Sequence, residues 1–329
     1  MILGLDIGGA NTKAASSDGS IAISVYLPLW KGAPLESLLK KLAREHHFGT
    51  LGVVMTGELA DCFSEKMEGI SHIMGAVNSA FDCPIYYWGI NGFLRSNLRE
   101  LAGANWSASA AFVAAEIGDC IFVDMGSTTT DLIPIKKRSL AAKTDFERLK
   151  RGELVYSGLL RTSVSSLLHE ALIEGDLVPL SPELFAITAD AYLALSEINA
   201  DEYTCETPDG RGIDPLSAKR RLARTVCADL DEIGDSGAMA IARQVKAHQL
   251  KTLRSAIDRQ AGAHGLEHVV AAGAGERLIA EAARSYRVTR ISERYGQKIS
   301  SVFPAYAVAR LLELWSQGGE ASVLPGTDK

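Results

Sequence analysis

The chain has 329 residues, 47% of them hydrophobic and 22% charged, enough to build a large core or two smaller ones without disulfide staples. A formal net charge of −6 argues against general electrostatic binding to nucleic acid. No apolar run reaches the roughly 18–20 residues of a membrane helix, and five scattered cysteines without a C-x-x-C pair exclude a disulfide framework or a zinc ribbon. The opening residues lead straight into a strand-like run with no basic leader, so a reducing cytoplasmic location is expected.

In chain order, residues 2–7 read as an apolar strand ending in the turn Gly8-Gly9-Ala10-Asn11. Residues 12–16 return, Asp18-Gly19 turns again, and 21–27 form a third strand, an antiparallel meander. Pro34 starts a helix with Leu35, Leu38, Leu39 and Leu42 on one face. Residues 51–55 are a buried strand, followed by helical pattern to about 81 and a short strand at 84–88. Asn105 reads as the cap of an alanine-rich helix over 106–117.

The opening signal then returns. Residues 120–124 form an apolar strand, 125–130 a turn of small residues, and 132–135 a return strand, which points to an internal duplication. The stretch 144–260 reads as mostly helical, interrupted by a polar loop at 201–214, with a long helix over 238–257. A buried strand at 268–272, the turn Gly273-Ala274-Gly275, a helix over 276–284 and a last helix from near Pro304 to Trp315 complete the chain. Beyond Gln317 a polar tail is expected.

Three glycine turns carry the chemistry. In the first, Gly8 and Gly9 allow close approach of an anion to the backbone, Asn11 and Thr12 add donors, and Lys13 adds a cation. Asp6 ends the preceding strand, where a carboxylate can hold hydrated Mg²⁺ beside phosphates. In the second, Asp124 ends a strand before Gly126, and Ser127, Thr128, Thr129 and Thr130 supply consecutive hydroxyls ahead of Asp131. In the third, Gly273 and Gly275 lead into a helix N-terminus, which favours anions or the edge of a nucleotide. The dinucleotide fingerprint G-x-G-x-x-G is absent.

The segments 3–15, 122–135 and 269–282 with the C-terminal helix resemble the two phosphate motifs, the adenosine motif and the second connecting helix of the actin/sugar-kinase/Hsp70 superfamily. The helix at 106–117 resembles the first connecting helix. Thr56-Gly57-Glu58-Leu59-Ala60-Asp61, and Thr144-Asp145 through Arg151-Gly152-Glu153-Leu154-Val155-Tyr156-Ser157-Gly158 to Arg161-Thr162, resemble the hydantoinase/oxoprolinase branch. The length and Gly126-Ser127-Thr128-Thr129-Thr130-Asp131 are most similar to a short branch linked to tetrahydromethanopterin-dependent one-carbon metabolism, which includes the methanofuran-biosynthesis synthases.

The resemblance implies an α/β fold of two ribonuclease H-like domains around a cleft. The expected limits are 1–116 and 117–317, with a helical insertion at about 144–260, the adenosine-type motif at 269–283 and a flexible tail at 318–329. It also implies a Mg²⁺-dependent transferase. An aminomethylfuran-methyl diphosphate would be joined to the phenol of a glutamylated tyramine or tyrosine, releasing diphosphate. Asp6 and Asp124 would hold Mg²⁺, Lys13 and the turns the diphosphate, and Asp124 or Asp131 would take the phenolic proton. Substrate carboxylate contacts are expected from Arg148, Arg151 and Arg161, and a further substrate contact from Glu58, although helix-dipole complementation explains Glu58 equally well. ATP can be accommodated but is not required, the partners are small molecules, and a homodimer is allowed.

The alternative functions are an ATP-dependent small-molecule kinase or a hydantoinase-type hydrolase component, and an ATP-driven activator or filament subunit. Lys219-Arg220-Arg221 with Arg224 reads by default as a solvated basic face, and alternatively as a dock for a glutamyl carboxylate. The seven histidines show no metal-ligand spacing.

Overall fold

The computed structural model describes residues 1–94 and 97–318. Its frame is two six-stranded sheets of the same plan. The first is built from β1 (Ile2–Gly8), β2 (Asn11–Ser16), β3 (Ala22–Tyr26), β4 (Thr50–Thr56), β5 (Ile85–Gly89) and β6 (Gly92–Phe93), in the order β3-β2-β1-β4-β5-β6. The second contains β7 (Cys120–Met125), β8 (Thr130–Lys136), β9 (Arg138–Ser139) and β10 (Leu154–Val155), and is completed by β13 (His268–Ala272) and β14 (Arg287–Arg290). Its order is β10-β8-β7-β13-β14, with β9 on β8.

In each sheet the leading strand pairs antiparallel with its hairpin partner and parallel with the strand on its other side: β1 with β2 and β4, β7 with β8 and β13. This is the duplicated ribonuclease H-like order that the resemblance implied. A separate hairpin, β11 (Glu170–Ile173) and β12 (Asp176–Pro179), belongs to the insertion.

Helices α1 (Leu35–Glu45) and α2 (Lys66–Ala80) cover one face of the first sheet. Leu35, Leu39 and Leu42 of α1 are buried there at i, i+4 and i+7, as the periodicity requires. Between the sheets run α3 (Asn105–Glu116) and, after α4 (Asp145–Arg151), α5 (Val164–Leu167), α6 (Thr188–Ala194), α7 (Pro215–Arg224), α8 (Leu230–His264), α9 (Glu276–Ala282), α10 (Ile291–Tyr295) and α11 (Gln297–Ser301), the terminal α12 (Phe303–Gly318). Phe112 of α3, Phe122 of β7 and Phe303 and Tyr306 of α12 form an edge-packed aromatic cluster that ties the sheets together. The approach of α12 depends on Gly4, where a Cβ would overlap the Ala305 carbonyl.

Several expectations are corrected. Ala104, not Asn105, is the cap of α3. Asn105 lies in its first turn, and its Oδ1 accepts from the Trp106 N–H at 2.7 Å. The 144–260 stretch is not uniformly helical, because β11 and β12 interrupt it through a two-residue turn with φ of 52° at Glu174 and 100° at Gly175. Such turns need left-handed residues, and an unmatched Glu-Gly pair inside helical periodicity is a weak signal. The long helix is longer than expected and breaks at Gly234, whose φ is 62°.

The basic run of α7 is only partly solvated: Arg220 is exposed, whereas Arg221 is internal. Arg221 is fully buried against Asp190, and Arg224 and Lys219 pair with Asp209 and Asp235. Arg221 and Arg224 thus belong to a structural ion network that pins the polar loop through Asp209, which takes these two out of any carboxylate dock. Of the expected tail, all but Gly318 lies outside the described residues.

All five cysteines are free, and among the described residues no helix is long and apolar enough to cross a membrane.

Candidate active site

The strand-end carboxylates meet because the sheets are duplicates. On β1 and β2, Asp6 sits opposite Lys13; on β7 and β8, Asp124 sits opposite Asp131. The hairpin tips touch: Asn11 Nδ2 donates to Ser127 Oγ at 3.3 Å. Lys13 Nζ lies 3.7 Å from Asp6 Oδ2. Asp6 and Asp124 are buried, and Asp131 lies beside the Arg148 guanidinium.

Burial sets the charge state of this cluster. It raises the pKa of Asp6, while Lys13 and the Asn105 side chain pull the other way. Burial also pushes Asp124 up to about 7; Lys13 lowers it, and Asp131, Asp6 and Glu276 add to the rise. Asp131 is raised by burial as well and drawn back by Arg148. Burial thus works against charge on all three carboxylates around this one lysine, and a further cation would offset it.

The donor set fits Mg²⁺. Asp6 Oδ1 is buried with no hydrogen-bond partner. Among the described residues no three His, Cys, Asp or Glu side chains form a metal cage. A cation held by one or two carboxylates, with water and phosphate oxygens completing its shell, suits such a set, whereas zinc does not.

The cradle residues divide. A Cβ on Gly8 would lie 3.0 Å from the Asn11 carbonyl, whereas one on Gly9 would meet nothing within 4 Å. Neither glycine has a positive φ, so of the two reasons for glycine here, conformation and close approach, only close approach is left, and the space over Gly9 is free for a ligand. Thr12 is buried with its Oγ1 unpartnered. In the second turn Gly126 N–H closes onto Thr129 O at 2.9 Å, and Ser127 and Thr128 face Asn11 and Arg161. Thr130 is buried and donates to Ser157 O at 2.7 Å, which takes its hydroxyl out of the expected row of donors. Gly158 packs so closely on Ser127 and Thr128 that a Cβ would overlap their backbone, and so the segment 157–161 braces the turn.

The third turn also serves the second. Gly273 has φ of 88°, and a Cβ on it would overlap Asp124 Oδ1. One on Gly275 would overlap Met125 Sδ, and Gly275 N–H donates to Met125 O at 2.9 Å. These two glycines seat the end of β7.

The arginines fall in three places. Arg148 is buried, its Nη1 donates to Asp145 Oδ1 at 3.0 Å, its Nη2 donates to Asp131, and its Cζ lies 4.5 Å from the centre of the Trp106 ring. With those donors engaged, it positions Asp131 rather than offering itself to a substrate. Arg161 Nη1 donates to Thr128 Oγ1 at 3.2 Å and stacks over Trp30 of the first half at 4.6 Å, so it spans the cleft. Arg151 is exposed at the end of α4, 4.0 Å from Glu153, and stands apart from the carboxylates. Sequence reasoning missed Asn105, Asp145 and Trp30. Asn105 carried a signal that was read as a cap; Trp30 sat in a short 3₁₀ turn, Leu29–Lys31, with none.

Glu58 follows β4, and burial pushes it up to about 7, with Lys66 lowering it and Asp145 raising it. Its Oε2 is buried without a partner.

The hydantoinase/oxoprolinase family model matches residues 50–314. The chain belongs to the hydantoinase/oxoprolinase family. A relative from Methanocaldococcus jannaschii is 44% identical over 95% of this chain and 98% of its own length. It is named (4-{4-[2-(gamma-L-glutamylamino)ethyl]phenoxymethyl}furan-2-yl)methanamine synthase. A protein of the same name from Methanococcus vannielii is 35% identical over 62% of this chain and 96% of its own length. Among solved structures, a ROK family glucokinase from Streptomyces griseus superposes with a TM-score of 0.47 at 13% identity, covering 96% of this chain and 99% of that one. This member of the hydantoinase/oxoprolinase family thus has near full-length similarity to a synthase.

Proposed function

We propose that this chain is a (4-{4-[2-(gamma-L-glutamylamino)ethyl]phenoxymethyl}furan-2-yl)methanamine synthase. The observation that carries the reading is the 44% identity to a protein of that name over 95% of this chain and 98% of the relative. The product name contains an aryl ether between a phenol and a furan-methyl group, so the reaction forms a carbon–oxygen bond. The furan-CH₂ carbon is supplied as its diphosphate; the phenol oxygen attacks that carbon, the C–O bond to diphosphate breaks, and the phenolic proton passes to a carboxylate.

The two halves, 1–116 and 117–317, enclose the reacting groups. The open space over Gly9 receives the diphosphate, with Lys13, Asn11, Thr12, Gly8 and the Gly126–Thr129 turn around it. Ring oxygen lone pairs delocalise charge building on the furan-CH₂ carbon, so the chief demand on the protein is to stabilise a departing anion. Asp6 and Asp124 would hold Mg²⁺, which when bound would supply positive charge beside the diphosphate. Asp131, oriented by Arg148, whose guanidinium opposes the burial penalty on its charge, accepts the phenolic proton. Arg161 at the cleft edge takes the glutamyl carboxylate of the acceptor. The turn at Gly273 and Gly275 keeps Asp124 in place, and the reaction consumes no ATP.

The test is incubation of the purified protein with Mg²⁺, the furan diphosphate and a glutamylated tyramine. The ether and one diphosphate per turnover are expected. Phosphorylated acceptor with ADP would replace this reading with a kinase.

A further inference from the structure

The site holds more carboxylates than its cations and the diphosphate chemistry need. Asp6 and Asp124 face Lys13, and Asp131 and Asp145 share Arg148. That leaves Glu58. It is 2% exposed, and its Oε2 has no hydrogen-bond partner. The nearest charges acting on it are Lys66, on the exposed start of α2, and Asp145, which repels it. An ionised carboxylate in such a place is costly unless a cation reaches it.

Glu58 lies next to the first anion turn. Gly57 N–H donates to Ile7 O at 3.0 Å, and a Cβ on Gly57 would lie 3.1 Å from the Gly8 backbone, so the residue before Glu58 rests on the first anion turn. On the other side the Gly103 N–H serves Glu58, while the Asn105 side chain serves Asp6. Residues 103 and 105 are two steps apart, a backbone span of at most about 7 Å. The two carboxylates thus border the same short segment. Gly69 keeps Glu58 there, since a Cβ on Gly69 would strike the Glu58 backbone.

We infer that Glu58 is the anchor for the primary ammonium of the furan substrate, and so fixes which end of the ring points to the diphosphate cradle. The inference rests on the proposed function, whose product is a furan-methanamine. The amine is the one cationic group of that substrate, and it lies across the ring from the carbon that reacts. With the ammonium on Glu58 and the diphosphate over Gly9, the furan bridges two sites of opposite charge preference within the first half of the chain. The specificity consequence is direct: a buried acceptor left unpaired by a substrate lacking the amine discriminates strongly against it.

The experiment compares two donors, the aminomethylfuran-methyl diphosphate and an analogue carrying CH₃ in place of CH₂NH₃⁺, on the full-length protein and its Glu58→Gln and Glu58→Asp variants. The unaltered protein is expected to favour the amine donor by about 10²-fold or more in kcat/KM. Glu58→Gln should raise KM for the amine donor by about 10²-fold, leave kcat within about threefold and accept both donors nearly equally. Glu58→Asp should recover part of the preference. Failure of the unaltered protein to form ether from either donor overturns the proposed function itself. Ether formation with the preference intact in Glu58→Gln overturns only the anchor. Equal use of both donors by the unaltered protein does the same. If Glu58→Gln does not fold, an unchanged preference in Glu58→Asp, with KM for the amine donor unmoved, also overturns it.

Discussion

Asn11 and Ser127 lie 116 residues apart and touch side chain to side chain, the Asn11 amide donating to Ser127 Oγ at 3.3 Å. Each sits in the turn of one of two duplicated hairpins, so this contact closes a cleft whose walls end in Asp6 and Asp124. It marks where the proposed diphosphate would enter and which carboxylates would flank it.

Replacing Asp6 or Asp124 by Asn should cut kcat by about 10²-fold or more, the scale seen when a partner of transition-state charge is removed. Circular dichroism and the melting profile should stay those of the folded protein. Steady-state diphosphate release at saturating Mg²⁺ checks it, and an undiminished kcat in either variant removes that carboxylate from the metal site.

Gly9→Val tests the cradle with little risk to the fold, because a side chain there meets no protein atom within 4 Å and φ is not positive. Titration calorimetry with inorganic diphosphate and Mg²⁺ should show binding to the unaltered protein and none to the variant. Equal affinity would reduce the first hairpin to a turn.

Arg148→Met should strand Asp131 without its buried cation. A loss of about 3–5 kcal/mol in urea unfolding is expected. Adding Asp131→Leu should recover much of that stability while activity stays lost, which separates the two roles.

Glu58 makes stability depend on pH. Burial pushes its carboxyl up to about 7 in the folded chain, above the ordinary 4.5, so the folded state binds the proton more tightly. Its contribution is fully present below pH 4.5 and is lost as pH rises through about 7. The swing is about 3 kcal/mol without substrate, at roughly 1.4 kcal/mol per unit. Glu58→Gln should make the decline of the urea midpoint between these limits shallower, with Asp124 keeping its own share, and be the more stable form at pH 8. A midpoint that declines as steeply in the variant would assign the slope to other carboxylates.

The hairpins were legible in sequence because their signals are local. A strand ending in Asp, then glycine and hydroxyl or amide residues, describes Asp6–Asn11 and Asp124–Thr129 within a few positions, and the third turn at Gly273 was equally compact. What escaped depends on contacts between distant segments. Arg148 resembled a free substrate ligand until Asp131 and Asp145 were seen to occupy it, and Arg221 of the basic run looked solvated until Asp190 and Asp209 enclosed it. Trp30 gains meaning only from Arg161, 131 positions away in the chain. Asn105 illustrates an ambiguity of another kind, since the side chains that suit helix caps also suit active sites.

The central claim is that the duplicated hairpins serve carbon–oxygen bond formation with loss of diphosphate. Mass spectrometry of the acceptor after reaction with Mg²⁺, the furan diphosphate and glutamylated tyramine, in the absence of ATP, tests it most directly. The account predicts an acceptor heavier by the aminomethylfuran-methyl group, with equimolar diphosphate and no added phosphorus. An unmodified acceptor without ATP, and a phosphorylated one with it, would contradict the account.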